Sequence, residues 1–449
     1  MRKGLVGFMV LVVLVGVSSS IYAGGIINKQ NLSADYMRTL NRNAATDMAD
    51  AAVFNPAGTA MMQDGLYLKA DAIYLYKEYS NQMASSPPSI NVGTFDSDEP
   101  SIIPGLFAVY KQDRWSTFFA VTIPGGGGRV NFNDGDARTV VLSSPSSPAI
   151  PPAVSGGFIG IPGLGTYLGG PSGNATNIDQ RIEADSHYVG YSLGAAFKVF
   201  DSLSLSGGVR YVDAYQKFKG QAQGTTGPAR TVNVKIERTD EAFNYFLGLD
   251  YAPIKDLNFA LTYMSNTPLN FKADTKDDSP GQAVSNGVGW TDGTHEREDL
   301  PGYIGLGASY FIIPGTLRIE PNFTYYLEKQ AKLEGQRFQD SNPGNSYDIG
   351  VALEYILNPQ WRFSVGYMHT EIEGMDSQDL LPEAPELDAN TIGLGLVWSP
   401  VERLSFTLSG ARVWYESRKT GEVSSRAPAG TEYDKDVYSA AFGIQYRFF

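Results

Sequence analysis

Hydrophobic side chains alternate with small, polar or charged ones along most of this 449-residue chain. In residues 317–328, for example, Leu317, Ile319 and Phe323 alternate with polar or charged residues. Such runs last about 10 to 16 residues, enough for a tilted membrane-spanning strand, which needs about 9 to 11; strands of soluble sheets average about 5 to 6. The pattern therefore predicts strands with one face toward lipid and the other toward a polar interior.

Fourteen alternating runs can be counted, and the connections between them are short and long in turn. The predicted strands are residues 65–79, 100–111, 114–123, 185–200, 203–218, 234–252, 257–272, 300–312, 317–330, 345–357, 361–373, 388–399, 403–416 and 436–448. An even strand number with alternating turn lengths is typical of bacterial barrels, whose closure leaves no unpaired backbone in lipid. We predict an all-β, 14-stranded antiparallel transmembrane barrel with both termini on the periplasmic side.

The N-terminus has the pattern of a secretory signal peptide. Arg2 and Lys3 precede an apolar run over residues 5–17, and small residues up to Ala23 form a cleavage site. The apolar run is about 13 residues long, shorter than the roughly 20 that a transmembrane helix needs. We therefore predict an exported protein, with residues 1–23 as the signal peptide.

Residues 24–63 differ from the rest because their apolar residues follow helical spacing. Met37, Leu40, Ala44, Met48 and Ala51 fall on one helical face, a serine at position 33 can cap the start, and a proline and glycine at 56 and 58 end the pattern. The segment is too small to form its own core and must pack against something larger. We predict a mostly helical N-terminal plug (hatch) over residues 24–63 and the barrel over residues 64–449.

The segment from Asp47 to Gly58 resembles the hatch of the FadL-type family, the outer-membrane transporters of long-chain fatty acids and aromatic hydrocarbons. The resemblance is carried by the run Asn55, Pro56, Ala57 and Gly58, just before the first predicted strand. It implies a monomeric plugged barrel in which ligands are captured at outer loops, pass to a site near the hatch and leave sideways into the membrane. In that family the lateral gap is associated with a kink in the third strand. Residues 124–128 lie near the outer end of that strand here, and the sequence assigns the kink itself to no particular residue.

The longest predicted outer loop, residues 124–184, is unusually apolar. Two interpretations are open for it, a hydrophobic capture groove or a lid packed over the barrel mouth. The possible capture residues are Ile150, Val154, Phe158, Ile159, Ile161 and Leu164.

Several charged residues fall on the predicted inward face of the strands. They are Lys69, Asp71, Lys198, Arg210, Asp250, Arg318, Glu320, Glu354, Arg362 and Arg447. A desolvated arginine forms strong hydrogen bonds with a carboxylate, so Arg210 and Arg318 are candidate anchors for a fatty acid headgroup. The alternative is a salt-bridge network that fills the lumen and holds the hatch.

No cofactor or metal site is predicted. The chain has no cysteine and three histidines without metal-ligand spacing. The loop acids that allow a Ca²⁺ site, against the simpler alternative of a solvated loop, are Asp277, Asp278, Asp292, Glu296, Glu298 and Asp299. A net charge of −13 argues against nucleic-acid partners, which require clustered basic residues.

These features favour passive, ligand-gated uptake of long-chain fatty acids or other hydrophobic compounds across a Gram-negative outer membrane. The expected partners are the hydrophobic ligand and membrane lipid. The alternative is a gated porin for small polar solutes, against which the hatch argues. An outer-membrane enzyme, for which the sequence offers no catalytic motif, and an adhesin are the remaining classes.

Overall fold

The computed structural model describes residues 33–82, 94–126, 128–134, 178–224, 230–279, 290–334, 344–373, 385–419 and 430–449. Its strand segments are β1 (Gly65–Gln82), β2 (Thr94–Gln112), β3 (Trp115–Gly125), β4 (Val130–Phe132), β5 (Ile178–Phe200), β6 (Leu203–Gly224), β7 (Arg230–Ile254), β8 (Leu257–Met264), β9 (Asn270–Ser279), β10 (His295–Arg297), β11 (Tyr303–Ile313), β12 (Leu317–Tyr326), β13 (Tyr347–Asn358), β14 (Trp361–Glu371), β15 (Ala389–Val401), β16 (Leu404–Tyr415), β17 (Arg418–Lys419) and β18 (Glu432–Arg447).

These segments form a closed antiparallel barrel of 14 strands, which confirms the predicted fold class. Four strands are interrupted and appear as the segment pairs β3 with β4, β8 with β9, β10 with β11, and β16 with β17. The barrel closes where β1 pairs with β18 on one side and with β2 on the other. Closure leaves no free edge strand in the barrel, which lipid requires because it offers no hydrogen bonds.

The period-two alternation separates the two faces of the wall as predicted. Large hydrophobic side chains such as Leu193, Phe243 and Phe442 are exposed on the outer face. Rings of neighbouring strands stack there near the short turns, with Trp398 lying between Trp361 and Phe406 at centroid distances of 5.9 and 5.5 Å. This arrangement is typical of the aromatic girdle of a membrane barrel.

The described part of the hatch lies inside the barrel and is buried almost throughout. It contains two short helices, α1 (Ala34–Thr39) and α2 (Ala51–Phe54), and a 3-10 helix, Pro56–Met61. Ser33 caps α1 as predicted, since its side chain accepts a hydrogen bond from the backbone of Tyr36. None of the helices in the described residues is long and apolar enough to cross a membrane.

Three local predictions differ from the structure. The hatch is not helical between its two short helices, because Leu40 adopts a left-handed conformation that ends α1. Proline at position 56 starts the 3-10 helix instead of ending a helix, as its fixed φ allows at a first helical position. The strands predicted over residues 257–272 and 300–312 are also interrupted or shortened, at residues 265–269 and 298–302.

Candidate functional site

Asn55 ties the hatch together and fastens it to the wall. Its side-chain amide donates to the carbonyl of Ala45 at 3.0 Å and to the carboxylate of Asp250 on β7 at 2.5 Å. Its side-chain oxygen accepts from the backbone of Gly58 at 3.2 Å. A side chain at Gly58 would collide with the carbonyl of Ala45 and the amide of Asn55, so the turn needs a glycine there.

Further hydrogen bonds fix the same motif to other strands. Ser204 on β6 donates to the carbonyl of Ala57 at 2.7 Å. The hydroxyl groups of Thr59 and Ser116 on β3 are 2.7 Å apart. The run from Asn55 to Gly58 therefore lies at the contact between hatch and wall.

A buried network of ion pairs forms the second contact between hatch and wall. Arg38 of α1 pairs with Asp35 at 2.8 Å and with Glu354 of β13. Arg42 pairs at 2.8 Å with both Asp47 and Asp50. Buried charges need such partners, because an isolated charge in a dry interior is strongly unfavourable.

Arg318 belongs to this network. It lies 2.8 Å from Glu354 and 3.5 Å from Glu320, and Arg362 reaches Asp47 at 2.7 Å. Carboxylates already pair with the guanidinium of Arg318. This geometry fits the alternative given above, a salt-bridge network that holds the hatch, better than a free anchor for a ligand. The sequence analysis did not single out the charged residues of the hatch, at positions 35, 38, 42, 47 and 50. Charges in a segment that must pack inside a barrel could have indicated buried ion pairs.

The network also shifts the titration of the hatch acids. Burial alone would raise the pKa of the Asp35 carboxyl, but the charges of Lys69 and Arg38 outweigh burial and hold that pKa well below its usual range. The pKa of Asp47 is likewise held low, mainly by Arg42 and then by Arg362. These acids stay ionised, so the ion pairs persist at neutral pH.

Arg210 on β6 differs from the other lumenal arginines. It is 1% exposed, yet within the described residues no carboxylate lies within ion-pair distance of its guanidinium. Its hydrogen bonds go to neutral groups, the side-chain oxygens of Asn244 at 3.2 Å and Thr267 at 3.3 Å. A buried guanidinium with neutral partners retains capacity for an anionic ligand.

The third strand of the barrel is interrupted next to Arg210. Its ladder with β2 runs from Trp115 to Val121 and stops there, although β2 itself continues to Thr94. Beyond this point Gly126 and Gly128 adopt φ values of 86° and 100°, a conformation that favours glycine. Among the described residues, no backbone ladder joins β2 to the third strand beyond Val121, and one contact higher up is the hydrogen bond from the backbone of Asn131 to the side chain of Ser97 at 2.9 Å.

A proline and a glycine place this interruption close to the lumenal arginine. A side chain at Gly190 would meet Pro124 on one side and the Cδ atom of Arg210 on the other. A side chain at Gly125 would meet Tyr188 and Leu300. Arg210, the break in the third strand and the apolar lumen around Tyr188 are thus neighbours.

Apolar residues line the lumen on both sides of that position. One cluster joins the hatch to the wall beside the break and includes Val53, Phe54, Phe107, Phe118 and Ile123. Ile123 is buried although its place in the alternation points outward, which indicates that β3 bends inward here. A second cluster lies next to it and consists of Tyr188, Val212, Ala214, Ala242, Leu269, Phe271 and Leu300.

The loop candidates from the sequence fall partly outside the described residues. All six capture-loop residues, Ile150, Val154, Phe158, Ile159, Ile161 and Leu164, lie there. The loop acids are described, and two of them, Glu298 and Glu296, pair with Arg238 at 3.0 and 3.4 Å. Within the described ranges no three acidic or histidine side chains are grouped to hold a metal ion.

A closed 14-stranded barrel whose lumen is filled by an N-terminal hatch defines an outer-membrane transport protein. Residues 178–448 match the family of outer membrane protein transport proteins (OMPP1/FadL/TodX), which is more than half of the chain. The chain belongs to this family. The comparison with curated proteins gave no match.

Solved structures of this fold agree in shape while their sequences differ widely. A Pseudomonas aeruginosa FadL homologue is similar with a TM-score of 0.66 and 14% identity, covering 96% of this chain and 100% of that one. The P. putida toluene transporter TodX is similar at a TM-score of 0.58 and 11% identity, over 90% and 96% of the two chains. The Ralstonia pickettii toluene transporter TbuX has a TM-score of 0.55 and 12% identity, over 89% and 94%.

Membership confirms several predictions made from sequence. The chain is a transport protein of the outer membrane and not an enzyme, and its transport class is that of hydrophobic compounds. The family indicated by the resemblance at residues 47–58 is confirmed by the match over residues 178–448, a range that does not include that segment.

Proposed function

We propose that the protein takes up long-chain fatty acids or other hydrophobic compounds passively and releases them sideways into the membrane through the gap between β2 and the third strand. The observation that carries this proposal is the end of the β2–β3 ladder at Leu106 and Val121, beside an apolar lumen. Capture would occur at the outer loop that holds residues 150–164.

The apolar cluster would give the ligand an apolar surface between the hatch and this gap. Phe54 of the hatch, Phe118 and Ile123 belong to one packed cluster, and Ile103 of β2 packs against it. Each methylene group removed from water gains about 0.8 kcal/mol. An acyl chain or hydrocarbon is therefore favoured along this surface, and lateral exit into lipid avoids any return to water.

Arg210 is the proposed anchor for a fatty acid headgroup. Its position beside Pro124 places the guanidinium near the gap. Arg318 is less suited because Glu354 and Glu320 already occupy its guanidinium. A ligand carboxylate would add charge-assisted hydrogen bonds where Asn244 and Thr267 now supply neutral ones.

Stapling the gap tests lateral release, and the absence of native cysteine makes this simple. Continuing the β2–β3 register upward places Pro104 opposite Ile123. The double variant Pro104→Cys/Ile123→Cys, reconstituted in liposomes, should lose uptake of labelled oleate when oxidised and regain it on reduction.

The matched control is a staple in the intact part of the same ladder. Ala108 and Phe119 are paired there, so Ala108→Cys/Phe119→Cys should transport oleate equally well oxidised or reduced. Disulfide formation is verified by mass spectrometry for both pairs. Full transport by the oxidised Pro104–Ile123 staple would rule out this exit.

A further inference from the structure

Asp348 is a buried carboxylate on β13 with no cation beside it. It is 4% exposed, and the described residues include none that forms an ion pair with it. Its hydrogen bonds come from hydroxyl groups, Tyr326 at 2.7 Å and Thr370 on β14. A buried charge without an opposite charge is costly, so this position is one where a cation would be stabilised.

The carboxylate borders a small cavity between the hatch and the wall. The cavity measures about 20 Å³, room for roughly one water molecule. Its lining consists of Tyr36, Leu40, Asn43, Phe54, Tyr303, Asn322, Thr324, Tyr326, Asp348 and Met368. It contains four aromatic rings, a thioether and one carboxylate, and none of the lining residues is basic.

The rings are arranged in two pairs around this space. Tyr36 and Phe54 of the hatch stack with centroids 5.3 Å apart. Tyr303 and Tyr326 of the wall lie 6.2 Å apart. Aromatic faces carry negative electrostatic potential and attract cations, most strongly when water is excluded.

We propose that this cavity binds the ammonium group of a hydrophobic amine. The inference deepens the proposed function, on which it rests, because it assumes that the lumen accepts small apolar molecules. The head group of a primary amine is about the size of the one water molecule that the cavity holds. The ammonium would pair with Asp348 and lie among the rings, while the apolar body would take the place of hatch side chains.

The same lining favours an ammonium over the other two charge types. A carboxylate ligand would meet Asp348 and the ring faces, with no basic residue in the lining to offset the repulsion. A neutral hydrocarbon would gain no charge-assisted interaction with the carboxylate, so its affinity does not depend on the charge of Asp348. Arg210 and Asp348 would thus select opposite headgroups at two positions of one lumen.

Occupancy would also act on the hatch. Tyr36, Leu40 and Phe54 all belong to the hatch and fill the space next to the cavity. The tyrosine hydroxyl contacts the sulfur of Met368 at 3.4 Å. An amine whose body exceeds the cavity would compete with these contacts and favour displacement of the hatch.

The test uses three ligands of one size that differ in charge: benzylamine, toluene and benzoate at pH 7. Their affinities are measured by calorimetry on the purified full-length protein in detergent. The wild-type protein should bind benzylamine at least about tenfold more tightly than Asp348→Asn does, the range of a charge-assisted bond. Toluene affinity should be equal in the two proteins, which also shows that the variant is folded.

In a second variant, a side chain of the protein itself provides the ammonium group. Met368→Lys has a side chain of similar length that can place an ammonium in the cavity, so it should abolish benzylamine binding and leave toluene binding unchanged. Asp213→Asn on the exposed face of β6 is the control for charge loss elsewhere and should retain full benzylamine affinity.

The possible outcomes separate this inference from the proposed function. Equal benzylamine affinity in the wild type and in Asp348→Asn, or no benzylamine binding at all, would overturn the amine site while uptake of oleate continues. Loss of oleate transport and of toluene binding in the wild type would instead overturn the proposed function, whatever benzylamine does.

Discussion

The buried arginines of this lumen differ in the hydrogen-bond and ion-pair partners of their guanidinium groups. Arg318 and Arg38 share the carboxylate of Glu354, whereas Arg210 has two neutral oxygens. All are buried arginines, and only their neighbours from other strands tell them apart. The capacity of a buried arginine to bind a further carboxylate therefore depends on its partners from neighbouring strands, and residue type alone does not determine it.

Arg210→Gln should weaken oleate binding by about 1.5 to 3 kcal/mol, because the hydrogen bonds to the ligand carboxylate lose their charge. Binding of a long alkane should be unchanged. The measurement is a competition assay with both ligands, and Arg412→Gln on the outer surface is the control. An equal loss for both ligands would indicate damage to the lumen and argue against a headgroup anchor.

Asn55→Asp should loosen the hatch more than Asn55→Ala does. Alanine removes the hydrogen bonds to Ala45, Gly58 and Asp250, at a cost of about 1 to 3 kcal/mol for buried groups left unpaired. Aspartate adds repulsion between two buried carboxylates. Hydrogen exchange of the 3-10 helix reports the order, and equal exchange in all three proteins would contradict the anchoring role.

At the scale of elements, the hatch and the third strand are the two irregular parts of the barrel on which the proposed function depends. The hatch is a set of short helices fixed by ion pairs and by the turn at residues 55–58, so it has little apolar core of its own. The third strand is continuous only up to Gly125, where glycines with positive φ interrupt it. Neither element is regular, and both meet at the same apolar cluster.

The hatch should remain closed in mild acid and open only below about pH 4. Asp35 has a lowered pKa in the folded hatch, so its ion pairs stabilise the hatch fully above the unfolded value near 3.9, and this stabilisation declines progressively as the pH falls from there toward the much lower folded pKa. Planar-bilayer conductance between pH 7 and pH 3 measures this. In Asp35→Asn the low-pH transition should weaken and conductance at pH 7 should rise; a transition near pH 6 in the wild type would contradict the argument.

At the scale of the whole molecule, the barrel and the hatch have separable roles. The wall is closed by the pairing of β1 with β18 and does not need the hatch to complete its ladder. The lumenal wall carries charged groups beside its apolar clusters, and two of them, Lys69 and Glu354, are buried in ion pairs with Asp35 and Arg38 of the hatch. Water can replace the hatch as the partner of these groups.

Deleting residues 24–63 should therefore leave a folded barrel that conducts ions. We expect a large rise in single-channel conductance and a loss of oleate affinity, because Phe54 and its neighbours in the apolar cluster are gone. Heat-modifiable mobility on gels checks that the barrel is intact. Unchanged conductance from a folded barrel would mean that some other segment closes the lumen.

Much of this architecture follows from local sequence. The alternation in stretches such as residues 317–328 determines which face meets lipid, and turn lengths determine the strand order, since hairpins pair neighbours along the chain. Residues 55–58 show a second short-range constraint, because the turn they form needs the side chain of Asn55 and a glycine at position 58. These are short-range effects that a sequence displays directly.

The site was decided by tertiary structure. Arg318 has a carboxylate partner in Glu354, which is 36 positions away on the neighbouring strand, and Glu354 also pairs with Arg38 of the hatch, 316 positions away. Asp348 gave no signal in the sequence, because its surroundings combine neighbouring strands with Tyr36, Leu40 and Phe54 of the hatch, which are about 300 positions away along the chain. Alternation is a local property of a strand, whereas the balance of charge in a lumen is a sum over every strand that faces it.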